Sequence, residues 1–297
     1  MLRDLVGYGR EPPKIVWPNG TRLAVSVVIN FEEGAELQVG DGDARSERIG
    51  EVVSVVSDGT RDIGQEQIFA YGTRAGFWRI LDGLDRHRIP ATFYFCGRAV
   101  ERAPDPARAA VERGHEAACH GWLWRPHSDY DTEADEASDL DRAIQAISMA
   151  TGETPLGFFC RGSESIWTRK LLAARGFHYT SNAFDDDLPY RDSDFPDLLV
   201  LPYALDTNDM KFFHPNGFNR ATEFSEYVSD ALSVMLSEAA RGRSGLLNIG
   251  FHLRISGRPA RYRAVDQIFE QLNASRDQIW LARRIDIAAH AKSQLPT

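Results

Sequence analysis

Two adjacent carboxylates, Glu32 and Glu33, stand at the end of a short apolar run, and other polar groups stand in the same relation to later runs. His120 closes residues 115–120, and Arg161 follows 156–160. Asp185, Asp186 and Asp187 trail 179–182, Asp206 to Asp209 lie beyond Pro202, and His252 ends 245–252. Any one of these alone reads as a solvated loop charge, and a lone histidine usually is one. Six such positions after successive apolar runs read as a site. Their types suit hydrolysis of an amide-like bond. One carboxylate activates water, one histidine protonates the leaving nitrogen, and a cation such as Arg161 steadies the oxyanion.

The elements that must position these groups alternate. Residues 23–29 are apolar and β-branched, the pattern of a strand buried on both faces. Further strands are expected at 91–96, 115–120, 156–160, 179–182, 198–202, 245–252 and 278–281. Helices are expected at 74–86, 107–113, 131–151, 166–175, 222–240, 261–273 and 286–292, with Gly114 and Gly176 as stops. Residues 1–19 read as an irregular arm leading to a turn at Trp17-Pro-Asn-Gly20, and 38–66 as a long polar excursion. Strand–helix alternation from end to end implies parallel βαβ units, and about seven of them favour a closed barrel over an open sheet. No composition shift or repeat divides the chain, so residues 1–297 are expected to form a single α/β domain. In such folds function gathers at the carboxyl ends of strands, which is where the polar groups fall.

Composition narrows the function classes. The 297 residues carry a formal net charge of −9, which disfavours nucleic acid and anionic membrane as main partners and leaves a small molecule as the expected one. No apolar run approaches the ~20 residues of a membrane span, and the first ten residues lack a signal-peptide core. Cys96, Cys119 and Cys160 show no Cys-x-x-Cys spacing, so neither a disulfide framework nor a cysteine zinc site is indicated. A cytoplasmic protein is the simplest expectation. Cys160 beside Arg161 is either a low-pKa thiol or, with no base motif near it, a buried strand-end cysteine. Phe212, Phe213 and Phe218 flank a polar turn at 214–217; a monomer would leave them in water, so a homo-oligomer, with a tetramer as one option, is expected. Their alternative place is against their own barrel rim.

The motifs resemble a known family. Asn30-Phe-Glu-Glu-Gly34 stands where the polysaccharide deacetylases (carbohydrate esterase family 4, the NodB-homology superfamily) carry Thr-Phe-Asp-Asp-Gly. His120 resembles the first histidine of their His-Ser/Thr-x-x-His motif, and Asp206-Thr-Asn-Asp209 and His252 resemble their fourth and fifth motifs. Within that superfamily the chain is most similar to the metal-independent bacterial allantoinases. Tyr71-Gly-Thr-Arg-Ala-Gly-Phe-Trp-Arg79, Cys119-His-Gly-Trp-Leu-Trp124 and His252-Leu-Arg-Ile-Ser-Gly-Arg-Pro-Ala-Arg261 carry that likeness, with Gly7-Tyr-Gly, the 185–190 segment and 205–210.

The resemblance implies a deformed (β/α)7 barrel of the polysaccharide deacetylase type that hydrolyses non-peptide C–N bonds. It places Glu32 as general base, His252 as general acid, Glu33 in the slot of the metal-ligating Asp and His120 in that of the first metal histidine. Arg161 and Asp209 join the catalytic set; Trp124, Asp206, Asn208 and Arg258 are expected to bind substrate. Arg258 opens the next helix and has a surface or subunit contact as its alternative. Two departures stand out. Trp124 occupies the second metal-histidine position, which leaves Glu33, His120 and, seven residues on, His127 as a conditional zinc set; His127 is otherwise a surface residue. The segment Gly157-Phe-Phe-Cys-Arg-Gly-Ser-Glu-Ser165 matches neither the deacetylase nor the allantoinase pattern. The leading expectation is a hydrolase of a small cyclic amide or ureide such as allantoin, needing no cofactor. The alternatives are a deacetylase of N-acetylated sugars holding one divalent zinc weakly, and a catalytically inactive binding barrel.

Overall fold

The computed structural model describes residues 4–295, so Met1–Arg3 of the expected arm lie outside the described residues. The strands are β1 (Leu23–Phe31), β2 (Ala91–Phe95), β3 (Glu116–Cys119), β4 (Gly157–Phe158), β5 (Tyr179–Thr180), β6 (Tyr190–Arg191), β7 (Leu199–Val200), β8 (Gly245–His252) and β9 (Ile279–Leu281). The helices are α1 (Ile63–Tyr71), α2 (Phe77–His87), α3 (Gly97–Arg102), α4 (Pro104–Glu112), α5 (Glu133–Thr151), α6 (Thr168–Ala174), α7 (Ala221–Ala240), α8 (Leu253–Ser256), α9 (Pro259–Ala274) and α10 (Arg284–Lys292). The strands form one curled sheet in the order β6-β7-β5-β4-β3-β2-β1-β8, parallel except where β6 meets β7. The result is a half-barrel of the expected type.

The eight expected strands become nine by the addition of the short β6, and the last of them, β9, finds its place by register. β2 pairs only with Val27–Phe31 of β1, and the unpaired stretch Leu23–Val25 on the same side is taken by β9. On the far side β4, β5 and β7 are two residues long, and loops do the closing. Leu246 N donates to Asp187 O and Gly250 N to Thr207 O, with an isolated parallel bridge between Asn208 and Gly250. This seam is the deformation of the barrel.

All nine residues of β1 are buried, as its β-branched composition implies. Its odd positions, Leu23, Val25, Val27, Ile29 and Phe31, pack in the larger core cluster with Phe77, Ile80, Leu81 and Phe269 from the helices. Its even positions face the inside of the curl, where Ala24 and Val28 meet Tyr94, Phe159 and Tyr203. Because side chains alternate across a strand, the same parity carries Ser26 and Asn30 inward and aims Glu32 at the mouth. His120 beyond β3 and His252 at the end of β8 share that parity with Ala118 and Asn248.

Three helices were not expected. Helix α1 begins eleven residues ahead of 74, inside the supposed excursion, because Asp62 accepts from Gln65 N as its cap. It joins α2 through a π-helical turn at Gly72–Gly76. A Cβ on Gly72 would collide with the Glu33 carboxylate, and one on Gly76 with the Leu253 carbonyl. The turn therefore brings backbone against both sides of the mouth, and only glycine permits it. Helix α3 follows β2 directly and carries Arg98, which pairs with Asp43 at 3.0 Å and holds the excursion down. Helix α8 is a single turn after His252. Phe212, Phe213 and Phe218 are half-buried; Phe218 stacks on Phe224 at 5.1 Å and Arg261 covers Phe212, so they pack on their own chain. That removes the sequence argument for assembly built on them. No helix among the described residues is long and apolar enough to cross a membrane.

Candidate active site

At the mouth of the curl, Glu32 is 1% exposed and receives three cationic or protonatable groups. Its Oε1 lies 3.3 Å from His120 Nε2 and 3.2 Å from His252 Nε2, and its Oε2 lies 2.6 Å from Arg254 Nη1. Burial pushes the Glu32 carboxyl up, but His252, Arg254 and the histidine hydrogen bonds outweigh it and hold the group well below the usual carboxylate range. Glu32 is therefore ionised at neutral pH.

His252 is the complementary group. Asp209, itself fully buried, accepts from His252 Nδ1 at 2.6 Å and from its backbone N–H at 2.8 Å. Burial lowers the imidazolium, but Glu32 and Asp209 raise it more, to about 9. The ring is thus held protonated, with Nδ1 spoken for and Nε2 pointing at Glu32. His120 is fixed differently. Its Nδ1 donates to the Phe159 carbonyl and its ring stacks on Phe159 at 5.3 Å. An ionised carboxylate beside an imidazolium, with both reactive atoms on the same oxygen, can accept a proton from water and return one to a leaving group.

The chain as a whole has relatives among known proteins. The polysaccharide deacetylase family model matches residues 63–180. A Schizosaccharomyces pombe protein assigned to the polysaccharide deacetylases is 32% identical, over 96% of this chain and 95% of its own length. The chain belongs to the polysaccharide deacetylase family. Among solved structures, a Pseudomonas aeruginosa PAO1 protein described as a polysaccharide deacetylase superposes with a TM-score of 0.93 at 39% identity, covering 99% of each chain. The crystal structure of Puue allantoinase superposes with a TM-score of 0.92 at 41% identity, covering 99% of this chain and 98% of that one. The chain is a hydrolase acting on carbon–nitrogen bonds other than peptide bonds.

Deacetylases of this family imply a bound metal, and the residues here do not fit one. Glu33 spends its oxygens on backbone, accepting from Glu32 N and Arg254 N at 3.1 Å each. Burial raises its carboxyl to about 7, although Arg254 works against that. His120 faces Glu32 and not Glu33. His127 turns away through a short helical turn, His127–Asp129, and its Nδ1 bonds Glu136 at 2.9 Å beside Phe158 and Tyr130. It is neither a third ligand nor a surface residue, being 1% exposed. Among the described residues no group of three His, Cys, Asp or Glu side chains is arranged to hold an ion.

The other sequence candidates separate. Trp124 is at the mouth, its ring 4.7 Å from the Arg254 guanidinium. Arg161 is not on Glu32: its guanidinium lies 3.7 Å over Trp124 and pairs with Glu47 from the excursion. Asn208 is occupied structurally, donating to Tyr203 OH at 3.0 Å and accepting from Met210 N at 2.8 Å. Asp206 is exposed and accepts from Tyr227 OH. Arg258 lies 3.6 Å over Tyr71 and 3.6 Å from Glu51, which Arg261 holds through both oxygens. The thiol of Cys160 is buried and pushed well above its usual range, so it is the inert strand-end cysteine. A cleft of about 1260 Å³ lined by Gly7, Tyr8, Asp186, Tyr190 and Arg243 contains none of Glu32, His120, His252 or Arg254, so cavity size does not mark the chemistry.

Arg254 itself was missed. Arg254 stands in the segment His252–Arg261 without a role assigned to it from sequence, yet it is fully buried. The available signal was its place between Leu253 and Ile255: a charge inside an apolar stretch, two residues beyond His252.

Proposed function

We propose that this chain opens a small cyclic amide or ureide, such as allantoin, by metal-free acid–base hydrolysis with Glu32 as base and His252 as acid. The observation that carries the reading is the pairing of an ionised Glu32 with a protonated His252 through one carboxylate oxygen at 3.2 Å. The likeness to Puue allantoinase along almost the whole chain supports the substrate class.

Glu32 takes a proton from a water molecule, whose oxygen adds to the amide carbonyl carbon. The tetrahedral intermediate then collapses, the C–N bond breaks, and His252 Nε2 delivers a proton to the departing nitrogen. The products are a carboxylic acid and a free amide or urea nitrogen, joined in one molecule when the substrate is a ring. Asp209 acts through His252, fixing its ring and stabilising its charge. Trp124 supplies an apolar wall.

The test is a panel of hydantoins, cyclic ureides and N-acetylated sugars offered to chelator-treated protein. Ring opening of a ureide without added metal is expected. Turnover of N-acetylated sugars alone, or turnover that requires zinc, would replace this reading with the deacetylase one.

A further inference from the structure

Arg254 is the group at the mouth that acid–base transfer leaves unused. Two carboxylates converge on its Nη1, Glu32 Oε2 at 2.6 Å and Glu33 Oε1 at 3.6 Å. Its guanidinium carbon lies 4.4 Å over Phe69 and 4.7 Å over Trp124, so aromatic rings fix its plane. Among the described residues its Nε is buried with no partner, and its Nη2 has only the Met210 sulfur at 4.0 Å. A guanidinium carries five donors and cannot give up its charge. Leaving some of them unpaired in a dry site is costly unless something arrives to accept from them.

Resting on the hydrolytic reading above, we infer that Arg254 is a catalytic residue. Its fixed charge takes the place that a divalent cation would hold between these carboxylates, and its unpaired N–H edge binds the carbonyl oxygen of the substrate. As the activated water adds, the carbonyl electron pair moves onto that oxygen, and Arg254 donates to it without losing a proton. When the C–N bond breaks the pair returns and the hydrogen bond relaxes. The same charge offsets the repulsion between Glu32 and Glu33.

The variants are Arg254→Ala and Arg254→Lys, each assayed well below its own Tm on the best ureide of the panel. Removing one oxyanion donor typically costs ~10²–10³-fold in kcat. Arg254→Ala should lose that much, with kcat and kcat/KM falling together, and millimolar guanidinium ion should restore part of the lost kcat. Arg254→Lys should stay low, since an ammonium does not reproduce the planar fork. Should Arg254→Ala fail to fold with two carboxylates facing each other, Arg254→Ala combined with Glu33→Gln is read against Glu33→Gln alone. A second arm does not depend on turnover: calorimetric titration with zinc alone should show binding at least about tenfold tighter to Arg254→Ala than to the natural chain. A folded Arg254→Ala within about threefold of natural kcat, or a loss that guanidinium does not reverse, would overturn the inference. Equal zinc affinity in the two proteins would overturn it as well. Failure of the natural chain on every ureide would instead remove the substrate reading, and the zinc comparison would still decide the cation's place.

Discussion

Two arginines, Arg254 and Arg284, are both fully buried in this protein, and they are solvated in opposite ways. Arg284 enters the inside of the curl from the start of α10. Its Nε donates to Ser181 at 3.0 Å, its Nη1 to Ser26 at 3.0 Å and Asn248 at 2.7 Å, and its Nη2 to the carbonyls of Leu201 and Pro202 at 2.6 and 2.9 Å. Every partner is a neutral oxygen, and all its donors are used. Arg254 has two carboxylates, two aromatic rings and, among the described residues, an orphaned Nε. The satisfied arginine ties five segments together and has nothing left to offer a ligand. The unsatisfied one sits at the mouth, against Glu32. A buried cation whose donors are all filled is explained by the fold alone, whereas one with open donors calls for a further partner.

The largest effect that tests this contrast lies at the mouth. Glu32→Gln and His252→Ala should each cost ~10²–10⁴-fold in turnover while the chain still folds, with a native-like circular dichroism spectrum. A folded Glu32→Gln protein with natural turnover would dissolve the distinction at its active end. At the other end, Arg284→Met should leave the turnover of the folded fraction nearly intact but strand several buried acceptors, each worth ~1–3 kcal/mol. Urea unfolding should register a loss of at least about 3 kcal/mol; a loss below about 1 kcal/mol would mean that the interior network is incidental.

A pH series sharpens the comparison further. Because His252 is raised to about 9, the acid should remain armed through neutral pH, and rate should fall as pH rises through about 9. The same shift bears on stability. A histidine whose folded value lies above its ordinary one contributes stability fully present below its ordinary value and lost as pH rises through about 9. Glu32, held low, contributes the opposite limb, present above the ordinary carboxylate range and lost as pH falls below it. Denaturant midpoints between pH 6 and 10 should therefore decline at the alkaline end, and His252→Ala should flatten that decline. The smallest effect belongs to Glu47→Gln, which removes the partly exposed ion pair holding Arg161 over Trp124. Such pairs are worth ~0–1 kcal/mol, so Tm should shift by a few degrees at most. A loss of turnover comparable to that of Glu32→Gln would return Arg161 to the catalytic set.

The sequence by itself determined the strand–helix alternation, the family and the placing of Glu32, His120 and His252 at strand ends. The β-branched run at 23–29 and the two-residue period beyond it were enough to send Glu32 to a strand end, and the same logic held for His120 and His252. These are local properties: a strand's parity follows from its own residues, and its end follows from the first polar cluster after it. Tertiary structure decided which charges meet. Arg161 and Arg254 are alike as residues after a strand, but the one-turn helix after His252 folds Arg254 back onto Glu32, whereas Arg161 is drawn outward by Glu47, a residue 114 positions away. His127 lies seven residues from His120, yet Glu136 on α5 claims it. The π turn at Gly72–Gly76 is readable only once Glu33 and Leu253 press against it. Long-range electrostatic pairing depends on where chain segments cross, and no window of sequence contains that crossing.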